Sequence, residues 1–255
     1  MKLLSQLLIS SLLIGGLYAK ESLSMSKADL AMYEEMLENN PADLFISEGE
    51  ELFEELLGED LLVEVLNINE DNLASYLAGF PRYIKQAGTV ITLSQLTQLA
   101  FSKQKLSVPK LESEKIIFIT AYIKSLANDE STNIDITANA QMKEAYQLGE
   151  RIFHQRRGGR GLSCFSCHSH EIVGQRLRMQ ILPDLGSKKS ATSSTWPAYR
   201  MTKSNMVSLD KRFQQCMKNA LLAPLPLGSK EMVSLEVHIT HLNKGHTIAI
   251  PGLKR

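Results

Sequence analysis

The five residues Cys164-Phe165-Ser166-Cys167-His168 constrain the fold of this chain more than any other segment. They form a C-x-x-C-H motif, the attachment site of c-type haem, in which both thiols become thioethers and the imidazole becomes the proximal iron ligand. A redox C-x-x-C pair is the alternative, but it expects a βαβ context, and none is apparent nearby. We therefore predict one covalently bound haem c, held by Cys164, Cys167 and His168.

The N-terminal segment is typical of an export signal. Lys2 provides a positive start, residues 7–17 are apolar apart from Ser and Gly, and Leu17-Tyr18-Ala19 offers a small-residue cleavage site. A retained anchor is the alternative, but no later segment approaches the roughly 20 apolar residues of a spanning helix. We expect a mature chain that starts near Lys20, outside the cytoplasm and without stable membrane insertion.

Hydrophobic spacing predicts a mainly α fold, because β-branched alternation is scarce and apolar residues recur at helical intervals. The predicted helices cover residues 27–38, 48–57, 93–104, 112–126, 140–153, 209–219 and 230–243.

An internal repeat divides the chain into two halves. Phe80-Pro81-Arg82-Tyr83 matches Trp196-Pro197-Ala198-Tyr199, and the two prolines are 116 residues apart (197 − 81 = 116). Further segments share this offset, whereas Gly49-Glu50 matches Gly149-Glu150 at an offset of 100. A constant offset with one interruption predicts two related domains, with about sixteen extra residues in the second.

The first half lacks both the haem motif and the third cysteine of the second half. At the positions equivalent to the haem motif and to Cys216, the third cysteine, it carries Glu64, Asn67, Ile68 and Ala100. The simplest interpretation is a domain that lost its haem together with the haem's ligand.

Cys216 is left unpaired in an exported chain, so it must be buried, bonded to another chain, or reactive. If residues 209–219 form a helix, Arg212 lies one turn before Cys216 on the same face. A guanidinium beside a thiol favours the thiolate, the form that binds metal and reacts, and its planar fork suits an oxyanion. Thiolate ligation should lower the potential of the haem iron, which favours catalysis over general electron transfer.

These residues leave alternatives open. Cys216 could be a small buried hydrophobe, and Arg212 a solvated helix residue. Methionine commonly pairs with histidine in electron-transfer cytochromes, so other candidates exist for the distal haem ligand. They are Met179, Met201, Met206 and His170.

The charge balance excludes one class of partner. Lys+Arg and Asp+Glu both number 28, whereas nucleic-acid binding requires a basic excess. The basic run Arg156-Arg157-Gly158-Gly159-Arg160 is interpreted as a solvated loop, with a rim for the haem propionates or an acidic partner as the alternative.

Taken together, these motifs resemble the SoxA family, the catalytic cytochrome subunit of the bacterial sulfur-oxidising Sox system. The resemblance covers nearly the whole mature chain and is strongest over residues 149–255. Its marks are Gly149-Glu150, the haem motif, Trp196-Pro197-Ala198-Tyr199-Arg200, the segment 208–216 with its Arg-x-x-x-Cys pattern, Gly228-Ser229-Lys230-Glu231 and the tail 250–255.

The resemblance implies a periplasmic L-cysteine S-thiosulfotransferase that binds a small cytochrome, SoxX, as a heterodimer. Such an enzyme oxidatively joins thiosulfate to a cysteine of a carrier protein, SoxYZ, and passes two electrons to cytochrome c. By position, the resemblance implies that Cys216 is both distal haem ligand and catalytic sulfur, found in the family as a cysteine persulfide. It implies that Arg212 binds the substrate, and the missing N-terminal haem motif places the chain in a single-haem branch.

The implied organisation is two tandem cytochrome-c-like domains, of which the first is degenerate. The predicted boundaries are a signal peptide at 1–19, a haem-less domain at 20–127, a linker at 128–141 and a haem-binding domain with the catalytic cysteine at 142–255. Two other functions compete with the enzyme: a non-catalytic periplasmic electron carrier with His/Met ligation, and a structural subunit that docks another cytochrome. Only the enzyme requires Cys216 at the iron.

Overall fold

The computed structural model describes residues 26–177, 180–187 and 190–254. The predicted signal peptide, residues 1–19, and Met179 lie outside these ranges. Helices dominate the described chain and the strands are short, so the prediction of a mainly α fold is confirmed. Within the described ranges, no helix is both long and apolar enough to cross a membrane.

The helices and strands follow one another in chain order. The helices are α1 (Lys27–Glu38), α2 (Asp43–Leu56), α3 (Glu59–Leu66), α4 (Leu73–Leu77), α5 (Leu93–Lys103), α6 (Glu114–Ser125), α7 (Ala140–His154), α8 (Phe165–His168), α9 (Leu209–Asn219) and α10 (Lys230–Leu242). The strands are β1 (Arg82–Ile84), β2 (Thr89–Ile91), β3 (Arg176–Leu177), β4 (Gln180–Ile181), β5 (Ala198–Arg200), β6 (Asn205–Val207) and β7 (Gly252–Lys254).

All seven predicted helices are present, and most of their ends differ from the prediction by two residues or fewer. Polar N-cap residues explain where five of them begin, because each accepts a hydrogen bond from the backbone N–H three residues later. These caps are Ser26, Thr92, Ser113, Asn139 and Ser229. Only the start of α2 differs from its prediction by more than two residues: this helix begins at Asp43, five residues before the predicted start at residue 48.

The repeat found in the sequence is also present in the secondary structure. The hairpin β1–β2, with Arg82 opposite Ile91, recurs as β5–β6, with Ala198 opposite Val207 (198 − 82 = 116). The helices α5 and α9 begin at the same offset, and so do α6 and α10. The second copy adds β7 as a parallel partner of β5, which gives a sheet with the order β6-β5-β7.

A glycine lies at the helix crossing in each half. A Cβ on Gly49 of α2 would lie 2.3 Å from the carbonyl oxygen of Phe118 in α6. A Cβ on Gly149 of α7 would lie 1.9 Å from the carbonyl oxygen of Ser234 in α10. Phe118 and Ser234 are themselves equivalent at the offset of 116 (234 − 118 = 116). Both crossings therefore need backbone contact that only glycine permits.

The two halves have unequal apolar cores. A large cluster centred on the first half includes Phe53, Leu62 and Ile116, each with no exposed surface, and also takes in Met206 and two residues near the C-terminus, Ile248 and Ile250. The second half has a smaller main cluster, made of Ile152, Phe153, Met217, Leu222, Met232, Leu235 and Ile239.

Side chains of the first half hold the backbone of the second. The Lys124 ammonium on α6 donates to the carbonyl of Trp196 at 2.6 Å and also to that of Ser193. The Asn128 amide donates to the Ile250 carbonyl at 2.7 Å and accepts from the Ile250 N–H at 2.8 Å. These contacts fix the segments that lead into β5 and β7.

Replacing Gly149 with alanine tests the crossing of α7 and α10. We expect a loss of at least about 2 kcal/mol in the free energy of unfolding, because the added methyl group meets backbone that cannot move aside. Gly159→Ala is the matched control, since nothing lies within 4 Å of a Cβ there. The urea concentrations at the midpoint of unfolding should be measured for both variants. Similar midpoints for the two would contradict the prediction.

The buried His238 of α10 makes stability depend on acid pH. Burial lowers the pKa of His238 from 6.5 to about 4, with His154 and His241 acting in the same direction and Glu150 against it. The unfolded chain therefore binds a proton that the folded chain does not between pH 6.5 and 4, and the free energy of unfolding falls by up to about 3 kcal/mol as pH decreases through that window.

Urea midpoints measured from pH 7 to pH 4 test this dependence. His238→Gln should flatten the decline, whereas His170→Gln, at an exposed position, should leave it as in the unchanged protein. The interpretation is wrong if the two variants lose stability in parallel.

Candidate functional site

The C-x-x-C-H motif forms a single helical turn. The N–H groups of Cys167 and His168 both donate to the Cys164 carbonyl at 3.1 Å, which closes the turn. Ser163 and Ser166 brace its start, since the backbone N–H of each donates to the hydroxyl of the other, at 3.0 Å and 3.2 Å. The turn therefore holds both thiols and the imidazole close together without help from a longer helix.

A backbone carbonyl fixes the His168 ring. Its Nδ1 lies 2.8 Å from the Pro183 carbonyl oxygen, which can only accept, so Nδ1 carries the proton and Nε2 keeps its lone pair. Burial lowers the pKa of His168 and favours the neutral ring. A neutral imidazole oriented through its other nitrogen is the usual arrangement of a metal-binding histidine.

The segment that carries Pro183 is itself held by α10. Asn243, fully buried just after that helix, donates to the Leu185 carbonyl at 2.6 Å and to the Ile239 carbonyl at 3.0 Å. Its side-chain oxygen accepts from the Ser193 N–H at 3.2 Å. The orientation of His168 thus depends on the position of α10.

Cys216 on α9 lies beside the haem motif. Burial raises the pKa of both Cys164 and Cys167, to about 11 for Cys164, and the charge of Cys216 adds to the shift of each. Cys216 therefore lies within electrostatic range of both thiols of the haem motif. Arg212 lies one turn before Cys216 as predicted, donates to the Gln215 side chain at 3.0 Å, and lowers the pKa of His168. The fold therefore brings all five predicted site residues into one region.

The other candidates for a distal ligand lie in different surroundings. Met206 belongs to the large core of the first half, and His170 is exposed. Met201 lies in the turn Met201–Lys203 after β5.

Three cations around the thiols were not assigned to the site from the sequence. Arg157, predicted in a solvated loop, lies near Cys164 and lowers the pKa of that thiol. Its Nε and Nη2 atoms are buried without a hydrogen-bond partner in the described chain. Arg200 lies near Cys216, and Lys254 lies near Arg200. In the sequence, the only signal for Arg200 was its place in the repeated motif, and that for Lys254 its place in the C-terminal tail.

These features fit a haem. The paired thiols lie on one turn, the imidazole presents a free Nε2, a third thiol converges on them, and the buried guanidinium of Arg157 lacks the acceptor that a propionate would supply. The site can therefore join a metal centre to a nucleophilic sulfur beside several cations.

Known proteins resemble the chain over most of its length, although no family model matches it. It is 30% identical to the L-cysteine S-thiosulfotransferase subunit SoxA of Hydrogenophilus thermoluteolus, over 87% of this chain and 85% of the relative. It is 26% identical to the subunit of the same name from Hydrogenobacter thermophilus, over 84% and 82%. The crystal structure of SoxXA from P. pantotrophus superimposes with a TM-score of 0.72 at 18% identity, over 93% of this chain and 83% of that one, and supports the fold.

Proposed function

The chain belongs to the SoxA family of L-cysteine S-thiosulfotransferase subunits, and we propose that its reaction centre is formed by Cys216, Arg212 and the haem motif. The enzyme oxidatively joins thiosulfate to a cysteine of the carrier protein SoxYZ and passes two electrons to cytochrome c. The observation that carries the proposal is the convergence of the Cys216 thiol on Cys164 and Cys167.

We assign the haem-holding residues as follows. Cys164 and Cys167 would attach one haem c covalently, and His168 and Cys216 would be the two protein ligands of its iron. When bound, the haem supplies a one-electron acceptor next to the reacting sulfur. The fixed Nδ1 contact with Pro183 keeps His168 in the tautomer that such ligation requires.

The chain's own groups bind and orient the substrate. The Arg212 guanidinium binds the sulfonate oxygens of thiosulfate, because its fork offers several donors in a plane. This orientation brings the outer sulfur of thiosulfate into contact with the Cys216 sulfur. A sulfur–sulfur bond forms between the Cys216 thiolate and thiosulfate, and the two electrons released go to cytochrome c. The SoxYZ cysteine thiolate then attacks the outer sulfur, takes over the thiosulfonate group and releases the Cys216 thiolate.

The two halves are two related cytochrome-c-like domains in this proposal. The first, residues 20–127, is degenerate and haem-less, and a linker at 128–141 precedes the haem-binding domain at 142–255. The shared hairpin and helix order support this division, and so does the larger side-chain core of the first half.

The proposal includes a partner and a cellular location. The superimposed crystal structure is a SoxXA complex, which supports a heterodimer with a small SoxX-type cytochrome. The predicted signal peptide at 1–19 supports export to the periplasm.

Cys216→Ser tests the catalytic assignment. Thiosulfate-dependent reduction of cytochrome c by the haem-loaded complex should fall by about 10²-fold or more, because serine provides neither a thiolate nor a sulfur–sulfur bond. Haem should remain attached through Cys164 and Cys167. Asn219→Ala, at the exposed end of the same helix, is the control and should keep its activity. Retained turnover in the serine variant would overturn the assignment.

Low-temperature electron paramagnetic resonance of the oxidised protein tests ligation separately. A low-spin ferric signal of the thiolate or persulfide type should be present in the unchanged protein and absent from Cys216→Ala. A His/Met-type signal that is the same in both proteins would favour an electron carrier instead.

A further inference from the structure

Two cations are paired directly across neighbouring strands beside the proposed reaction centre. In the parallel ladder of β5 and β7, Arg200 lies opposite Lys254. Adjacent strands are only about 4.8 Å apart, so the two side chains leave the sheet close together. Arg200 is only 5% exposed and Lys254 is half-buried. Like charges in this arrangement destabilise a sheet, and burial adds to the cost.

The described chain offers no carboxylate that would offset this charge. Burial and Arg212 lower the pKa of Arg200 to about 10, and the only group that acts in the opposite direction is Cys216. Burial and Arg200 lower the pKa of Lys254. The Nε atom of Arg200 is buried without a hydrogen-bond partner among the described residues.

The position of Arg200 distinguishes it from Arg157. The charge of Arg200 acts on Cys216 and Arg212, whereas that of Arg157 acts on Cys164 in the haem motif. Arg157 is therefore the better placed of the two for a haem propionate. Arg200 lies on the side of the site where Cys216 and Arg212 would receive a substrate.

We propose that Arg200 and Lys254 form a second arm of the substrate site, which together with Arg212 binds the sulfonate group of thiosulfate beside Cys216. The inference rests on the proposed function, since it is the assignment of Cys216 that makes this region the substrate site. It adds two residues that determine specificity. Cations on several sides favour a tetrahedral oxyanion with negative charge over a neutral thiol.

Arg200→Gln and Lys254→Met, each in the haem-loaded complex, test the proposal. KM for thiosulfate should rise by about 10-fold or more in each variant, as expected when a charged hydrogen bond is lost. Arg200→Lys should recover part of the affinity because it keeps the charge. Lys203→Met removes an exposed cation just after β5 and is the control, with KM changed less than about 2-fold. Haem content and the paramagnetic signal should be the same in all four variants.

An unreactive anion provides a second measurement that does not depend on turnover. Sulfate, compared with chloride at equal ionic strength, should raise the Tm of the unchanged protein and of Lys203→Met by more than it raises the Tm of Arg200→Gln and Lys254→Met, because its non-specific stabilisation is common to all four proteins. If the unchanged protein does not oxidise thiosulfate, the proposed function fails while the sulfate measurement still decides the anion site. Loss of haem or of its normal spectrum with KM unchanged would mean that Arg200 binds a propionate. That result would overturn the proposal, and so would an unaltered KM and an unaltered sulfate effect.

Discussion

The backbone contact between α7 and α10 at Gly149 is the constraint on which the site depends. Because no side chain separates the helices at that point, the position of α10 relative to α7 is fixed by the carbonyl of Ser234. The end of α10 then holds Asn243, and Asn243 holds the segment that carries Pro183. The Pro183 carbonyl finally orients His168. A glycine at a helix crossing thus helps to determine where the His168 imidazole points.

The same crossing exists in the first half, but the consequence there is different. Gly49 meets Phe118 as Gly149 meets Ser234. Beyond the crossing, however, the first half has α3, which buries Leu62, Val65 and Leu66. The second half has the short haem-motif turn in the corresponding part of the chain and a smaller apolar cluster. Burial of side chains therefore stabilises the first copy, whereas in the function proposed above a haem would complete the interior of the second.

The parts of the structure that depend on local signals could be predicted from the sequence. Helical periodicity predicted the seven long helices, and a spacing of four residues placed Arg212 beside Cys216. The short α3 and α4 were missed because one or two turns carry little periodicity, and Gly58, at a φ of 78°, separates α3 from the helix before it. The hydrogen bond from His168 to Pro183 and the pairing of Arg200 with Lys254 join distant segments. These two interactions cannot be predicted from a local sequence pattern, because only the tertiary fold brings the residues together.

The neutral charge of the whole chain conceals a strong internal division. Residues 140–255 contain 18 of the 28 Lys and Arg residues but only 7 of the 28 Asp and Glu residues. The half that carries Cys216 therefore has a net positive charge of 11 (18 − 7 = 11), and the other half has an equal negative charge. A positive field around a partly buried site raises the local concentration of anions and their rate of association. The cations near Cys216 are the innermost part of this distribution, where burial limits screening by salt. Attraction of a small anion and its precise placement are thus two effects of one charge arrangement.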